Sequence, residues 1–259
     1  MGRKWIGGLL LAAFCSQVAA APALTFCYED QDSYPWVMTD GSGLNQALVD
    51  LVGQALGLEI ARRPMPWKRC LAGLEQGLYD GAFAASYKAE RLAMGAYPTR
   101  ANGELDDEKR LHTSSYSLYR RVGDPVRWNG QGFEQLSGKI GSLSGFSIVD
   151  FLHHHGVEVE ENSRDPQALL NMLKNGRIQA AALQSQRADF VLQAHPELAG
   201  FIEKTSPSLE HKAYYLMLSR QLLGKHPALA TQVWNQIQRQ RESAAYQAIL
   251  TKTLAQPGS

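Results

Sequence analysis

Arg91 is the residue whose type and position most directly suggest chemistry in this chain. The stretch from Pro66 to Arg91 predicts a helix, a glycine turn and a short buried strand that ends at Ser86 and Tyr87. Arg91 therefore follows the C-terminal end of a strand, where ligands of open α/β sheets bind. A guanidinium is permanently charged and its planar fork suits a carboxylate, so this position predicts an anion anchor. The alternative is that Arg91 only pairs with Glu90 on a solvated helix.

Aromatic residues form a second group of candidates in the loop after the first predicted strand, Leu24 to Tyr28. The loop carries Tyr34, Pro35 and Trp36. Aromatic side chains at the carboxyl end of a strand can form an apolar platform for a small molecule, although such rings also pack against neighbouring loops. We predict that Tyr34 and Trp36 line a ligand pocket.

Two clusters of polar residues are candidate metal ligands. The three consecutive histidines at 153–155 point in different directions on a helix, whereas chelation favours spacings of three or four residues. The acidic loop at 29–32 is followed by no regular ligand pattern. We predict neither a metal site nor a cofactor.

Alternating strands and helices must position these candidates. The first set predicts strands at 24–28, 58–62 and 82–85, with helices at 43–58 and 67–77 between them. The second set predicts strands at 139–143, 157–160 and 178–183, and helices at 148–155, 166–174 and 187–194. A strand at 213–218 and helices at 226–240 and 243–254 end the chain. Such alternation is typical of parallel sheets covered by helices.

The two sets of similar length predict two lobes. We place residues 21–118 and 210–259 in lobe 1 and residues 119–209 in lobe 2. Between the sets, the charged run at 104–110 is interpreted as a solvated excursion and the following residues, 111–121, as a strand. A return linker is predicted at 203–209, where proline and serines occur.

The N-terminal residues 1–20 have the pattern of a secretory signal: Arg3 and Lys4, then an apolar run, then small residues before a cleavage site. Without this segment, roughly 239 residues remain, with 24 Lys and Arg against 25 Asp and Glu, a formal net charge of −1. This balance gives no basic field for nucleic acid. No later stretch predicts a membrane span. We expect an exported, periplasmic protein.

Two cysteines, Cys27 and Cys70, remain after signal removal in a chain bound for an oxidising compartment. We predict that they form a disulfide, because closing a loop of about forty residues would stabilise the fold by about 4 kcal/mol in the chain-entropy model. Two buried free thiols are the alternative.

Several motifs, in order, resemble the family 3 solute-binding proteins, periplasmic components of polar amino-acid uptake systems. The similar segments are Gly43 to Leu51, Leu74 to Ala82, Glu90 and Arg91 with Tyr97 and Pro98, Leu136 to Gly141 with Ser144 to Ser147, and Leu173 to Ala180. The resemblance covers essentially the whole mature chain, and it rests on the order and spacing of the motifs together.

The resemblance implies a type II periplasmic-binding-protein fold: two α/β lobes, joined by a two-stranded hinge, that close around a ligand. It also implies that Arg91 binds the ligand's carboxylate with help from Ser86 and from the loop that carries Ser144, Phe146 and Ser147. The contacts at Ser86 and Tyr87 carry over loosely, because their segment is one residue shorter than usual. The implied partners are a small-molecule ligand and an ABC permease, and the implied state is a monomer.

Gln184 departs from the family pattern. Amino-acid binders of the family usually place an aspartate there, where it pairs with the ligand's α-ammonium. An amide carbonyl accepts hydrogen bonds but does not neutralise a buried cation. We therefore expect a small polar carboxylate-bearing solute. Gln184 is expected to contact the side of the solute that lies away from the carboxylate.

Two alternative functions stay open. The closed protein could engage a membrane sensor rather than a permease. The chain could also resemble the few dehydratase-like enzymes of this fold, whose chemistry would need a cleft carboxylate with a raised pKa, for which Glu29 or Asp32 are the early-loop candidates. No nucleophile or metallohydrolase motif is recognisable, so we predict a binding protein and not an enzyme.

Overall fold

The computed structural model describes residues 23–255. The predicted signal segment at 1–20 lies outside the described residues. The strands are β1 Ala23–Glu29, β2 Glu59–Met65, β3 Gly81–Ser86, β4 His112–Arg121, β5 Arg127–Trp128, β6 Phe133–Glu134, β7 Ile140–Leu143, β8 Val159–Ser163, β9 Ala180–Gln184, β10 Ile202–Lys204 and β11 Glu210–Leu218.

Seven of the described helices match predicted ones within a few residues, and two short ones, Pro196–Ala199 and Arg220–Lys225, were not predicted. The helices are α1 Leu44–Leu56, α2 Trp67–Glu75, α3 Ile148–His154, α4 Pro166–Lys174, α5 Ser185–Ala194, α6 Pro196–Ala199, α7 Arg220–Lys225, α8 Pro227–Arg241 and α9 Ala244–Ala255, with 3₁₀ turns at Ala89–Ala93 and Asp107–Lys109. Helix α1 buries one apolar stripe and ends at Gly57, which has the predicted left-handed conformation with φ 62°.

The main sheet has the strand order β2-β1-β3-β11-β4-β9-β7-β8, and β10 pairs with β4. Strand β1 is parallel to both β2 and β3, and β7 is parallel to both β8 and β9. The two parallel sets are joined through β11 and β4, which pair antiparallel from His112 to Tyr116 and from Glu210 to Tyr214. These two strands correspond to the predicted hinge.

Side chains on both faces of each parallel set are buried, as expected for strands covered by helices. In β1, Phe26 and Tyr28 join one core cluster, whereas Cys27 between them joins another. Strand β9 alternates in the same way, with Ala182 and Leu183 in different clusters. The period of two residues along each strand thus sets which helix layer each side chain contacts.

The predicted disulfide between Cys27 and Cys70 is confirmed. It joins β1 to α2, with the two Cα atoms 5.6 Å apart and both residues fully buried. The bridge therefore fixes the helix that leads to β3 against the first strand.

Two local predictions differ from the structure in part. The return linker predicted at 203–209 starts two residues too early, because Glu203 and Lys204 belong to β10, whereas residues 205–209 form no strand or helix. Glu203 accepts a hydrogen bond from Arg120 at 2.8 Å. A three-residue strand has too few side chains to show a hydrophobic period. The charged run at 104–110 is not wholly solvated: Asp106 is buried and its carboxylate lies 3.0 Å from Lys109.

Candidate functional site

A cavity lies where the carboxyl ends of β1, β3, β7 and β9 converge, the edge predicted from the sequence. Glu29, Ser86 and Gln184 are the last residues of three of these strands, and the loop after β7 adds Phe146 and Ser147. The cavity volume is about 40 Å³. One water molecule needs about 10–15 Å³ on that scale, so the closed cavity suits a small solute.

A bulge in β3 shapes one wall of this cavity. The pairing with β11 shifts by one residue between Ala82 and Ala85, and Ala84 has a positive φ of 64°. Regular alternation would place Phe83 and Ala84 on opposite faces, but both line the cavity. The bulge re-aims the end of the strand and directs Ser86 into the cavity as well.

Arg91 lies in the 3₁₀ turn after β3 and is 3% exposed. Its Nη1 donates to the carbonyl oxygen of Ser86 at 2.7 Å, and its Nη2 donates to that of Gly145 at 3.0 Å. The guanidinium carbon lies 5.3 Å from the centroid of the Trp67 ring. Glu90 instead pairs with Lys88, so the alternative of an Arg91–Glu90 pair on a solvated helix is wrong.

Arg91 and the serines connect the two sides of the cavity. Ser86 Oγ lies 2.7 Å from Ser147 Oγ, and both residues are buried. Gly145, which receives the Arg91 hydrogen bond, has a positive φ of 79°, a conformation that glycine adopts without a Cβ clash. The loop after β7 therefore meets the end of β3 directly.

Gln184 belongs to a hydrogen-bonded chain of side chains that line the cavity. Its Nε2 donates to the hydroxyl of Tyr214 at 2.7 Å, and its Oε1 accepts from Ser33 Oγ at 3.2 Å. The Tyr214 hydroxyl donates in turn to that of Tyr116 at 3.2 Å. Both amide atoms of Gln184 are thus satisfied by protein, which fixes the orientation of the side chain.

His112 completes an aromatic stack with Trp36 and Tyr214. Its ring centroid lies 4.1 Å from that of Trp36 and 4.7 Å from that of Tyr214, with nearly parallel planes. Its Nδ1 lies 3.0 Å from Asn45 Oδ1. Burial lowers the pKa of His112 well below its ordinary value, so the ring is neutral at physiological pH.

Arg187 is a second guanidinium in the cavity wall and is 2% exposed. Its Nε and Nη2 have no hydrogen-bond partner among the described residues. Burial lowers its pKa, and the carboxylate that most favours its charge is Glu29. Burial in turn raises the pKa of Glu29, whose Oε2 accepts the backbone N–H of Trp67 at 3.0 Å.

The structure holds the cleft closed. The indole Nε1 of Trp36 donates to Gln186 Oε1 at 2.9 Å, Lys88 pairs with Asp150 at 2.9 Å, and Arg164 contacts Glu29 and Asp30. Each of these contacts joins residues of the predicted lobe 1 to residues of the predicted lobe 2. The described conformation is therefore the one in which a solute would be enclosed.

Six of the predicted site residues line the cavity: Trp36, Ser86, Arg91, Phe146, Ser147 and Gln184. Three do not. Tyr34 stacks on Phe190 and donates its hydroxyl to the carbonyl oxygen of Thr253, so it packs between helices. Tyr87 is 40% exposed and meets the edge of Tyr97. Ser144 has its backbone N–H bound to Ser163, since it still pairs with the neighbouring strand.

Sequence reasoning missed His112, Tyr116, Arg187 and Tyr214 as cavity residues. Three of them belong to β4 and β11, which looked like ordinary half-buried strands. The prediction that these strands cross between the lobes was an available signal, because side chains on hinge strands face the cleft. Among the described residues, no group of three or more His, Cys, Asp or Glu side chains is arranged to hold a metal ion.

Comparison with known proteins gives the fold of this chain. No family model and no curated protein sequence matches it. A solved histidine kinase sensor domain with similarity to periplasmic binding proteins is 15% identical, with 90% of this chain and 96% of that chain covered and a TM-score of 0.72. The GluR0 ligand-binding core from Nostoc punctiforme, in complex with L-glutamate, is 16% identical, with 90% and 100% covered and a TM-score of 0.70.

A mutant of ArgBP from T. maritima is 17% identical, with 90% of this chain and 96% of that chain covered and a TM-score of 0.69.

Within residues 23–255 no helix has both the length and the apolar character needed to cross a bilayer. The structural disulfide fits an extracytoplasmic location. The expected fold is confirmed: this chain has the type II periplasmic-binding-protein fold.

Proposed function

We propose that this protein is a solute-binding protein that captures a small carboxylate-bearing solute by closing two lobes around it. The observation that supports this function is the environment of Arg91. Its guanidinium is buried, faces the cavity and donates only to uncharged oxygens. A buried charge without a counter-charge is unfavourable, so a carboxylate in the cavity would supply the negative charge that Arg91 lacks.

The proposed lobes are residues 21–118 with 210–259, and residues 119–209. Core packing supports two lobes but moves the boundary within β4 to before Tyr116. Leu111 packs in the core with β1 and α1, whereas Tyr116 and Leu118 pack with β7 and α3 of the proposed lobe 2. The antiparallel pair of β4 and β11 would then act as the hinge, a recognised mechanism of domain closure.

The proposed setting is the periplasm, and the proposed partner is an ABC permease that receives the solute from the closed, monomeric protein. The fold shared with several amino-acid-binding proteins of ABC transporters supports this role. A sensory role is the second candidate, because a histidine kinase sensor domain has the same fold. A partner protein that binds only the solute-loaded form would identify which system is served.

Acid–base chemistry at Glu29 is a third candidate, because this carboxyl lines the cavity and burial raises its pKa. Its two oxygens, however, accept hydrogen bonds from Trp67 N–H and from Arg164, which assigns it a role in holding the closed form. We propose that the bound solute is recovered unchanged. Turnover that disappears in Glu29→Gln would support the enzyme instead.

The proposed function is tested by a thermal-shift screen of amino acids, polyamines, small acids and peptides, followed by calorimetry on the Arg91→Ala variant. Loss of a desolvated, charge-assisted contact is expected to cost about 3 kcal/mol, or more than a hundredfold in affinity. Arg127→Ala is the matched control, because Arg127 is exposed and pairs with Glu134 in a hairpin that does not line the cavity. Unchanged affinity in Arg91→Ala would remove Arg91 from the site.

A further inference from the structure

Arg187 is the least expected charge in the cavity. It is 2% exposed, it lies at the third position of α5, and its Nε and Nη2 have no acceptor among the described residues. Its guanidinium carbon lies 5.5 Å from the centroid of the Phe146 ring. An arginine that only stabilised the fold would be expected to donate to carbonyl or carboxylate oxygens, as Arg120 does to Val126 and Glu203.

The two buried arginines face one shared space. Arg91 donates to the carbonyl oxygen of Gly145, and Arg187 lies over the ring of the next residue, Phe146. Both guanidiniums also act electrostatically on the hydroxyls of Tyr116 and Tyr214. The cavity is therefore bordered by two positive groups that contact adjacent residues of the same loop.

The charges of the cavity wall do not balance. Among the described lining residues, Glu29 is the only carboxylate, and it already accepts hydrogen bonds from Trp67 N–H and Arg164. The side-chain amide of Gln184 is neutral, and its oxygen and nitrogen already bond to Ser33 and Tyr214. Glu29 also favours the charge of Arg187, so this one carboxylate is shared between Arg187 and Arg164. A solute with one carboxylate would compensate Arg91, and the Nε and Nη2 of Arg187 would still lack an acceptor among the described residues.

We propose that Arg187 binds a second anionic group of the solute, so that the ligands are small molecules with two carboxylates, one at Arg91 and one at Arg187. This inference rests on the proposed function and adds the ligand class to it. Guanidinium groups suit carboxylates because their planar donors match the two oxygens. Neutralisation of both arginines would also favour closure of the lobes, because two positive charges enclosed in one cavity repel each other.

Calorimetry with matched diacids and monoamides tests this assignment. The probes are succinate against succinamate and L-glutamate against L-glutamine, which differ by one charge at nearly constant shape. We expect the wild-type protein to bind at least one diacid ten or more times tighter than its monoamide. Arg187→Gln should reduce that ratio below threefold while leaving monoamide affinity within threefold of wild type. Arg187→Lys should retain part of the preference.

Glu29→Gln separates two ways of binding a diacid. If Glu29 paired with the ammonium group of L-glutamate, this variant would bind L-glutamate more weakly and would leave the preference for succinate over succinamate unchanged. We expect that preference to rise instead, because a negative charge that acts on Arg187 is removed. Loss of the Arg164 contact affects both probes alike and leaves their ratio unchanged. Arg127→Gln, in the exposed hairpin, is expected to leave every affinity unchanged.

Four outcomes would overturn the assignment. Monoamides that bind as tightly as diacids, in a manner that depends on Arg91, would leave the proposed function intact and remove Arg187 from the site. Equal losses for diacid and monoamide in Arg187→Gln would show a structural role, as would a melting temperature of that ligand-free variant well below wild type. The fourth outcome, no binding of any of the four probes, would overturn the ligand class, whereas the proposed function would fail only if the wider thermal-shift screen also found no ligand.

Discussion

The hydroxyl oxygens of Ser86 and Ser147 lie 2.7 Å apart, at the end of β3 and immediately before α3. Both side chains are buried and both line the cavity. This hydrogen bond joins the two predicted lobes beside Arg91, whose Nη1 also lies 3.4 Å from Ser86 Oγ. Solute binding and lobe closure would therefore share the same polar groups.

Ser147→Ala is expected to weaken solute binding by about 2- to 12-fold, because it removes one buried hydrogen bond worth about 0.5–1.5 kcal/mol. Calorimetry with the solute found in the screen measures the change. Ser144→Ala is the matched control in the same loop, since Ser144 does not line the cavity. Equal effects of the two substitutions would contradict a specific role for Ser147.

The double variant Cys27→Ala with Cys70→Ala is expected to lower the free energy of unfolding by about 4 kcal/mol in the chain-entropy model, given the separation of 43 residues. Urea unfolding of the oxidised wild type and the variant measures the difference. Reduced wild type serves as the control and should lose a similar amount. A variant as stable as the oxidised protein would show that the bridge adds no net stability.

His112 is expected to make stability depend on pH. Because burial lowers its pKa well below 6.5, the unfolded chain takes up a proton that the folded protein does not. The stability is complete above pH 6.5 and falls with acidification, by up to about 1.4 kcal/mol per pH unit. His112→Phe keeps a flat ring between Trp36 and Tyr214 and should show a smaller decrease between pH 6.5 and 5 in urea unfolding. Parallel pH curves would contradict this.

Ala84→Gly is expected to raise the free energy of unfolding by about 1 kcal/mol, because a left-handed backbone is costly for alanine and not for glycine. Ala85→Gly, one residue further along β3, is the control. It should destabilise the protein by at least about 0.5–1 kcal/mol, since glycine weakens an ordinary strand position. Equal effects would argue against the strained bulge.

The order of strands and helices was predictable because it depends on local patterns. Apolar spacing along α1 and the glycine at 57 set the bounds of that helix from within one stretch of chain. Cys27 and Cys70 could be paired because only two cysteines follow the predicted signal. Arg91 could be chosen because it follows a strand end directly, where the fold places ligands.

Other site residues were not predictable, because their roles come from contacts between distant segments. Tyr34 and Trp36 are two residues apart in one loop, yet only Trp36 reaches the cavity, while Tyr34 stacks on Phe190. Arg187 was predicted only as the first residue of a helix at 187–194. Its burial results from the packing of α5 against β4, where Tyr119 donates to the carbonyl oxygen of Ser185.

The sequence by itself determined the alternation of elements, the disulfide and the position of one cavity arginine, because each depends on residue types within a short span. Only the tertiary structure decided which side chains share the cavity, and that a second arginine is buried there with two guanidinium nitrogens that have no acceptor among residues 23–255. The physical reason is that burial and charge compensation depend on which segments meet, and four strand ends and a hinge meet only after the chain has folded.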